Sequence, residues 1–184
     1  MRIISGSAKG KKLVSPSGLN TRPTLDRVRE SIFGSIQFDI PGSVVLDLFS
    51  GSGAMGLEAA SRGASRVVMN DISADSIKCI RENIRNTGLG NIVELHQMDY
   101  LQLIDYLGCN NIKFDFAFID APYYTDLSWS AADALFGNGL ISGGGSVICE
   151  HGRDEEVRPS DLYHVYNTRL LGKCGYSVLK GTDL

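Results

Sequence analysis

Residues 44–71 read VVLDLFSGSGAMGLEAASRGASRVVMND. An apolar run, Val44-Val45-Leu46, stops at Asp47, and a second, Val67-Val68-Met69, is closed off by Asp71. Between them Gly51, Gly53 and Gly56 keep the spacing G-x-G-x-x-G and open an alanine-rich helical segment. Strand, glycine turn, helix and second strand in that order commit the chain to a parallel α/β arrangement, with the length needed to hold the adenosine part of a nucleotide-like ligand. The glycine spacing alone is a weak signal, because glycines also make tight turns. Its context strengthens it: the glycines let backbone approach a ligand, and the amides at the helix N-terminus face what is bound. Asp71 is placed to accept hydrogen bonds from a ribose diol, or to cap the helix that begins near Ser73.

The rest of the chain repeats the alternation. Strands are expected at 44–47, 66–70, 92–96, 114–119 and 145–150, and helices at 54–62, 73–87, 99–107 and 128–136. The strands are continuous apolar runs, as in a parallel sheet covered on both faces. The tail differs: 163–171 and 176–180 have only Gly172 to Gly175 between them and predict an antiparallel hairpin at the sheet edge. Ahead of the α/β part, residues 2–4 and 11–14 read as a small hairpin. A helix from about Leu25 to Phe38 follows, with Thr24 as N-cap and one apolar stripe of Leu25, Val28, Ile32, Phe33 and Ile36. The division expected is a basic extension over 1–40 and an α/β domain over 41–184.

Charge is distributed unevenly. The whole chain is −3, yet residues 1–30 carry +5 and the remainder −8. Lys9, Lys11, Lys12, Arg22, Arg27 and Arg29 on an acidic body make either a local footprint for a polyanion or a merely solvated basic terminus. No apolar run approaches the ~20 residues of a membrane span, and no apolar leader follows the N-terminus, which favours the cytoplasm. The four cysteines lack any C-x-x-C pair, so neither a zinc site nor a disulfide framework is expected, and no metal is assigned.

Two features bear on the ligand. Asp47 stands directly before the glycine turn, where its charge would repel a pyrophosphate; it suits S-adenosylmethionine, which carries an ammonium and a sulfonium. NAD remains compatible with the glycine turn alone. The second feature is Asp120-Ala121-Pro122-Tyr123, at the carboxyl end of a central strand, where open α/β sheets place their active sites. It offers an acceptor carboxylate at Asp120, backbone carbonyls in a stiff turn at Pro122, and an aromatic face at Tyr123. These suit a planar exocyclic amine held for attack on a methyl group, with the base stacked at about 1–3 kcal/mol; the plain alternative is a proline turn with surface tyrosines. Asp99 is at the height of an adenine amino group, with Tyr100 to cover the ring, and it equally suits an N-cap. His96, His151 and His164 are scattered and take no catalytic role.

The runs MRIISGSAKGKKL, NTRPTLDRVRESIF, DLFSGSGAMGLEAASRG and FIDAPY, in that order, resemble the RsmD family of bacterial 16S rRNA guanine-N2 methyltransferases. The resemblance implies the Rossmann-like class I S-adenosylmethionine-dependent methyltransferase fold: a mostly parallel seven-stranded sheet with a C-terminal antiparallel hairpin, plus a small N-terminal β-hairpin and helix. It implies cofactor binding at Asp47, Gly51, Gly53, Asp71 and Asp99, and the target amine at Asp120, Pro122 and Tyr123. It implies S-adenosylhomocysteine as product, and 16S rRNA, free or in a ribosomal particle, as partner to the basic arm, with a monomer as default and no membrane. Where the family has D-P-P-[YF], Ala121 replaces the first proline, which loosens the turn. Alternatives at this level are the same chemistry on DNA or another RNA, an NAD-linked oxidoreductase, or an rRNA-binding assembly factor with weak catalysis.

Overall fold

The computed structural model describes residues 1–16 and 23–182. In chain order its elements are α1 (Pro23–Ser35), β1 (Val44–Asp47), α2 (Ala54–Ser61), β2 (Arg66–Asn70), α3 (Ala74–Thr87), β3 (Val93–His96), α4 (Tyr100–Cys109), β4 (Phe114–Ile119), α5 (Leu127–Gly137), β5 (Ile141–Gly152), β6 (Tyr163–Leu171) and β7 (Cys174–Gly181). They form one seven-stranded sheet in the order β3-β2-β1-β4-β5-β7-β6. Neighbours from β3 to β5 are parallel, and β7 runs antiparallel to both β5 and β6. The expected Rossmann-like sheet with its closing hairpin is therefore present. The chain winds outward from β1 to β2 and β3, then returns to β4 on the other side of β1. This reversal leaves a crevice above the carboxyl ends of β1 and β4.

Alternation along the strands divides the core in two. Val45, Val67, Met69, Phe116, Phe118 and Ile148 face one layer, shared with Val28, Ile32 and Phe33 of α1, Leu57 of α2 and Ile80 of α3. Leu46, Val68, Ala117, Ile119, Val147 and Cys149 face the other, against Leu103 and Leu107 of α4 and Trp129 and Leu135 of α5. Both faces are covered, which is why these strands read as continuous apolar runs.

Several boundaries differ from the sequence expectation. Helix α1 begins at Pro23, whose missing N–H costs nothing in a first turn. It ends at Ser35, where Gly34-Ser35 weaken the helix and the Ser35 hydroxyl turns back to the Ile32 carbonyl at 2.7 Å. Phe38 consequently lies outside the helix and is 88% exposed. Strand β5 starts at Ile141, with a register shift opposite Phe114/Phe116. Gly145 is needed there, since a Cβ would meet two backbone carbonyl oxygens at 3.0 Å. The N-terminal hairpin reduces to a single antiparallel bridge, Arg2 with Lys12.

What holds the N-terminal arm is α2. Glu58, wholly buried, accepts the amides of Ile4 at 2.7 Å and Ser5 at 3.0 Å and the Arg62 Nε at 2.7 Å. Ser61 donates to the Ser5 carbonyl at 2.6 Å and accepts the Ala8 amide at 3.0 Å. Gly6 passes so close that a Cβ would lie 1.8 Å from the Ser61 carbonyl oxygen. Further on, Asn83 exchanges two 2.8 Å hydrogen bonds with the backbone of Val14 and donates to the Ser52 carbonyl. Ile3, Ala8 and Leu13 belong to the same core layer as Val45. Replacing Glu58 with alanine strands two amides and a guanidinium around a buried site. Urea denaturation should show a loss of about 3–5 kcal/mol, against less than about 0.5 kcal/mol for Glu30→Ala on the exposed face of α1.

Candidate active site

The crevice above β1 and β4 is a cavity of about 860 Å³. The glycine turn forms its floor, and each glycine has a different reason to be there. Gly51 has φ +55° and faces open space, so ligand atoms can approach its backbone. Gly53 combines φ +81° with a Cβ position only 2.7 Å from the Met69 methyl. Gly56 is required by packing, since a Cβ there would lie 2.9 Å from the Met69 sulfur and 3.1 Å from the Asp47 carboxylate.

Asp47 closes β1 and is 1% exposed. Its Oδ2 accepts the Gly56 amide at 2.8 Å, inside the first turn of α2. This carboxylate thus takes the helix N-terminal position that a phosphate occupies in dinucleotide sites. Burial raises its pKa from 3.8 to about 7, the Gly56 hydrogen bond opposes that rise, and Asp120 and Asp71 add to it. Asp71, after β2, accepts the Gly51 amide and the Ser73 amide, both at 2.8 Å, so it fixes the glycine turn and the entry to α3 together. Each of its oxygens keeps a lone pair for a ligand. Asp99 is the N-cap of α4, accepting the Leu101 amide at 2.9 Å, and also lines the cavity. Tyr100 beside it packs on Phe49 with ring centroids 5.5 Å apart, and both line the same wall.

Across the cavity, Asp120 follows β4 and is exposed to the cavity's interior. Surrounding protein desolvates its carboxyl and raises it above the usual range, although the opening onto the cavity limits how far. Pro122 accepts the Thr125 hydroxyl on its carbonyl at 2.7 Å, which leaves the Ala121 carbonyl as the freer acceptor. Ala121 itself is buried against the second core layer. Tyr123 donates its hydroxyl to Glu150, near the end of β5. Burial first, then Glu150 and Asp120, push the Tyr123 phenol well above its ordinary value, so it stays protonated.

Sequence reasoning grouped Arg29 with the outward-facing cations. It is 4% exposed and lines the cavity, its Nη2 donating to the Arg2 carbonyl at 2.7 Å and to Asp26 at 3.0 Å, while its Nε has no partner among the described residues. Lys9, Lys11, Lys12 and Arg27 are exposed, and Arg22 lies outside the described residues. Other cavity residues were not singled out from sequence. Asn70 is 1% exposed and ties the β1, β2 and β3 ends together through Leu48 and Met98. Ile72 is an apolar side chain left 69% exposed on the rim. Ser15 brings a buried hydroxyl with no partner among the described residues, and Glu150 a second carboxylate beside Asp120. A buried polar residue ending an apolar strand was the readable signal for Asn70 and Glu150; nothing local marks Ser15. His151 is structural, bonded to Gly152 and Ser177 at 2.9 Å each.

The buried Asp47 weakens the folded protein at neutral pH. Asp47 binds its proton more tightly folded than unfolded. Its contribution is therefore most favourable below about pH 4 and declines as pH rises to about 7, by up to about 4 kcal/mol. Asp47→Asn keeps an acceptor for Gly56. Thermal unfolding without ligand should find this variant more stable than the parent at pH 8, with the difference closing toward pH 4.

Comparison with known proteins places these features in a family. The family model described as conserved hypothetical protein 95 matches residues 1–180. Ribosomal RNA small subunit methyltransferase D of Haemophilus influenzae is 26% identical over 180 residues, covering 96% of this chain and 91% of that protein. Among solved structures, a hypothetical protein of Thermus thermophilus superposes with a TM-score of 0.83 at 27% identity, covering 97% of this chain and 98% of that one. An RNA methyltransferase of Salinibacter ruber, in complex with S-adenosyl-L-homocysteine, shares the fold with a TM-score of 0.62 at 20% identity, covering 86% and 90%.

Proposed function

This chain belongs to the conserved hypothetical protein 95 family, the RsmD family, and from that membership and the acidity of the cavity we propose that it moves a methyl group from S-adenosylmethionine to the N2 amine of a guanine in 16S rRNA. The observation that carries the reading is charge. The described residues lining the cavity include six carboxylates, Asp26, Asp47, Asp71, Asp99, Asp120 and Glu150, and one basic side chain, Arg29. A pyrophosphate would meet Asp47 at the helix terminus it needs. S-adenosylmethionine brings two cationic centres and one carboxylate, and when bound supplies an electrophilic methyl group, leaving S-adenosylhomocysteine. Its relative from Haemophilus influenzae carries the name of a small-subunit rRNA methyltransferase.

The residues divide the work. Asp47 offsets the ammonium, and Arg29, held by Asp26 and turned into the cavity wall, takes the carboxylate rather than RNA. Asp71 receives the ribose, Gly51 lets the ligand approach, and Gly53 shapes the turn. Asp99 accepts from the adenine amine between Tyr100, Phe49 and Ile72. On the opposite side Asp120 accepts from the target amine and takes its proton after attack, with the Ala121 carbonyl as second acceptor. Pro122 stiffens the turn, and Tyr123 stacks on a base drawn out of its helix. Methyl transfer of this kind depends on alignment more than on acid–base strength. Lys9, Lys11, Lys12 and Arg27 meet phosphates of the rRNA, free or within the small subunit, in the cytoplasm, with the protein acting as a monomer.

Methyl incorporation into small-subunit rRNA, with the product nucleoside identified by mass spectrometry, tests the reading directly; tight NAD binding without S-adenosylmethionine binding overturns it. Asp120→Ala should leave cofactor affinity nearly unchanged and lower turnover about 100-fold or more. Arg29→Gln should do the reverse, weakening the cofactor while sparing rRNA affinity; equal losses of both in either variant would place that residue wrongly. Replacing Lys9, Lys11 and Lys12 together with glutamine should weaken rRNA binding and flatten the slope of log affinity against log salt by about 2. A change in thermal stability alone would make them structural.

A further inference from the structure

Glu150 stands outside the roles above, and it is costly where it is. It is 7% exposed, beside another carboxylate, and its side chain receives one hydrogen bond among the described residues, from Tyr123. Burial raises its pKa, the charge of Asp120 raises it further, and the Tyr123 hydroxyl only partly compensates. A glutamine would hold the Tyr123 hydroxyl without that penalty. Among the described residues its second oxygen has no donor and is left to accept from a ligand.

Register fixes where that group sits. Ile119 of β4 pairs with Cys149 of β5 in parallel as the last pair of the ladder, and Asp120 and Glu150 each follow it by one residue. Phe118 and Ile148 face one core layer, whereas Ile119 and Cys149 face the other. Asp120 and Glu150 therefore continue the side of Phe118 and Ile148. Both line the cavity together with Tyr123.

Two neighbouring acceptors match one base edge better than the others. Guanine presents N1–H and the N2 amine side by side, both donors. Adenine and cytosine present an amine beside a bare ring nitrogen, which offers no hydrogen for Glu150 to accept. We infer that Glu150 selects guanine by accepting its N1–H while Asp120 accepts from the amine that is methylated. The inference rests on the proposed amine methylation and adds to it the reason for the base. Glu150 reaches the base through its own carboxylate, and its hold on Tyr123 is a separate, positioning effect.

The test begins by mapping the methylated nucleotide in small-subunit rRNA treated with the unaltered protein. That rRNA is then prepared with 2-aminopurine at the mapped position, which keeps the amine and lacks the N1–H. The unaltered protein should favour guanine over 2-aminopurine in kcat/KM by about 10- to 100-fold. In Glu150→Gln the ratio should collapse toward one, because the amide can turn to donate to the bare N1. In Tyr123→Phe both substrates should lose turnover alike and the ratio should stand. A ratio unmoved in Glu150→Gln, or one that collapses equally in Tyr123→Phe, overturns the inference and leaves the methyltransferase reading intact. A mapped product other than N2-methylguanosine overturns both.

Discussion

The carboxylate of Asp47 accepting the Gly56 amide at 2.8 Å is the contact on which the site depends. It joins the end of β1 to the first turn of α2 and thereby sets the height of the whole glycine turn. The turn is then tied sideways by Asp71, which holds the Gly51 amide, and by Asn70, whose carbonyl accepts the Ser50 amide at 2.8 Å. A floor built this way carries its own carboxylate at the helix terminus. In dinucleotide-binding sheets the helix terminus is left open for a phosphate; here the protein supplies the anion itself. Ligand choice therefore follows from one side chain position, within a fold that would otherwise serve many nucleotides.

The N-terminal arm is part of the same construction. Glu58 and Ser61 clamp residues 4–8 to the back of α2, and Asn83 ties Val14 to the Ser52 carbonyl of the glycine turn. Met1, Ser15 and Arg29 consequently reach the cavity wall, while Lys9, Lys11 and Lys12 remain outside. The segment that carries the exposed lysines and the segment that closes the cavity wall are therefore one piece of chain, packed on the same core as β1. An extension with its own core would leave these two tasks mechanically separate.

Much of this was readable in the sequence. The alternation of apolar runs gave the order of strands and helices, because a sheet buried on both faces leaves an unbroken apolar signature in each strand. Asp47, Asp71, Asp99 and Asp120 were readable because each sits where an apolar run stops, and strand ends are where such sheets place their chemistry. The burial of Arg29 was not legible, since it depends on Asp26 and the Arg2 carbonyl, and the latter is brought near by the clamp on α2. Glu150 was passed over for a similar reason. It is brought beside Asp120 by the β4–β5 pairing that ends at Ile119 and Cys149, a relation across thirty residues of chain that no local pattern carries. Local pattern reports which face a residue occupies; it does not report who stands beside it on the next strand.

The acidity of the cavity can be read as one physical compromise. Asp47, Asp120 and Glu150 each have raised pKa values, first of all because the surrounding protein desolvates them. Carboxylates in that condition weaken the folded state at neutral pH, and hydrogen bonds from Gly56 and Tyr123 relieve only two of them. What relieves the rest is a bound ligand that brings positive charge or N–H donors of its own. Both halves of the cavity thus ask for electropositive groups by the same means, and a ligand that lacks them is refused by the unpaired carboxylate it leaves behind.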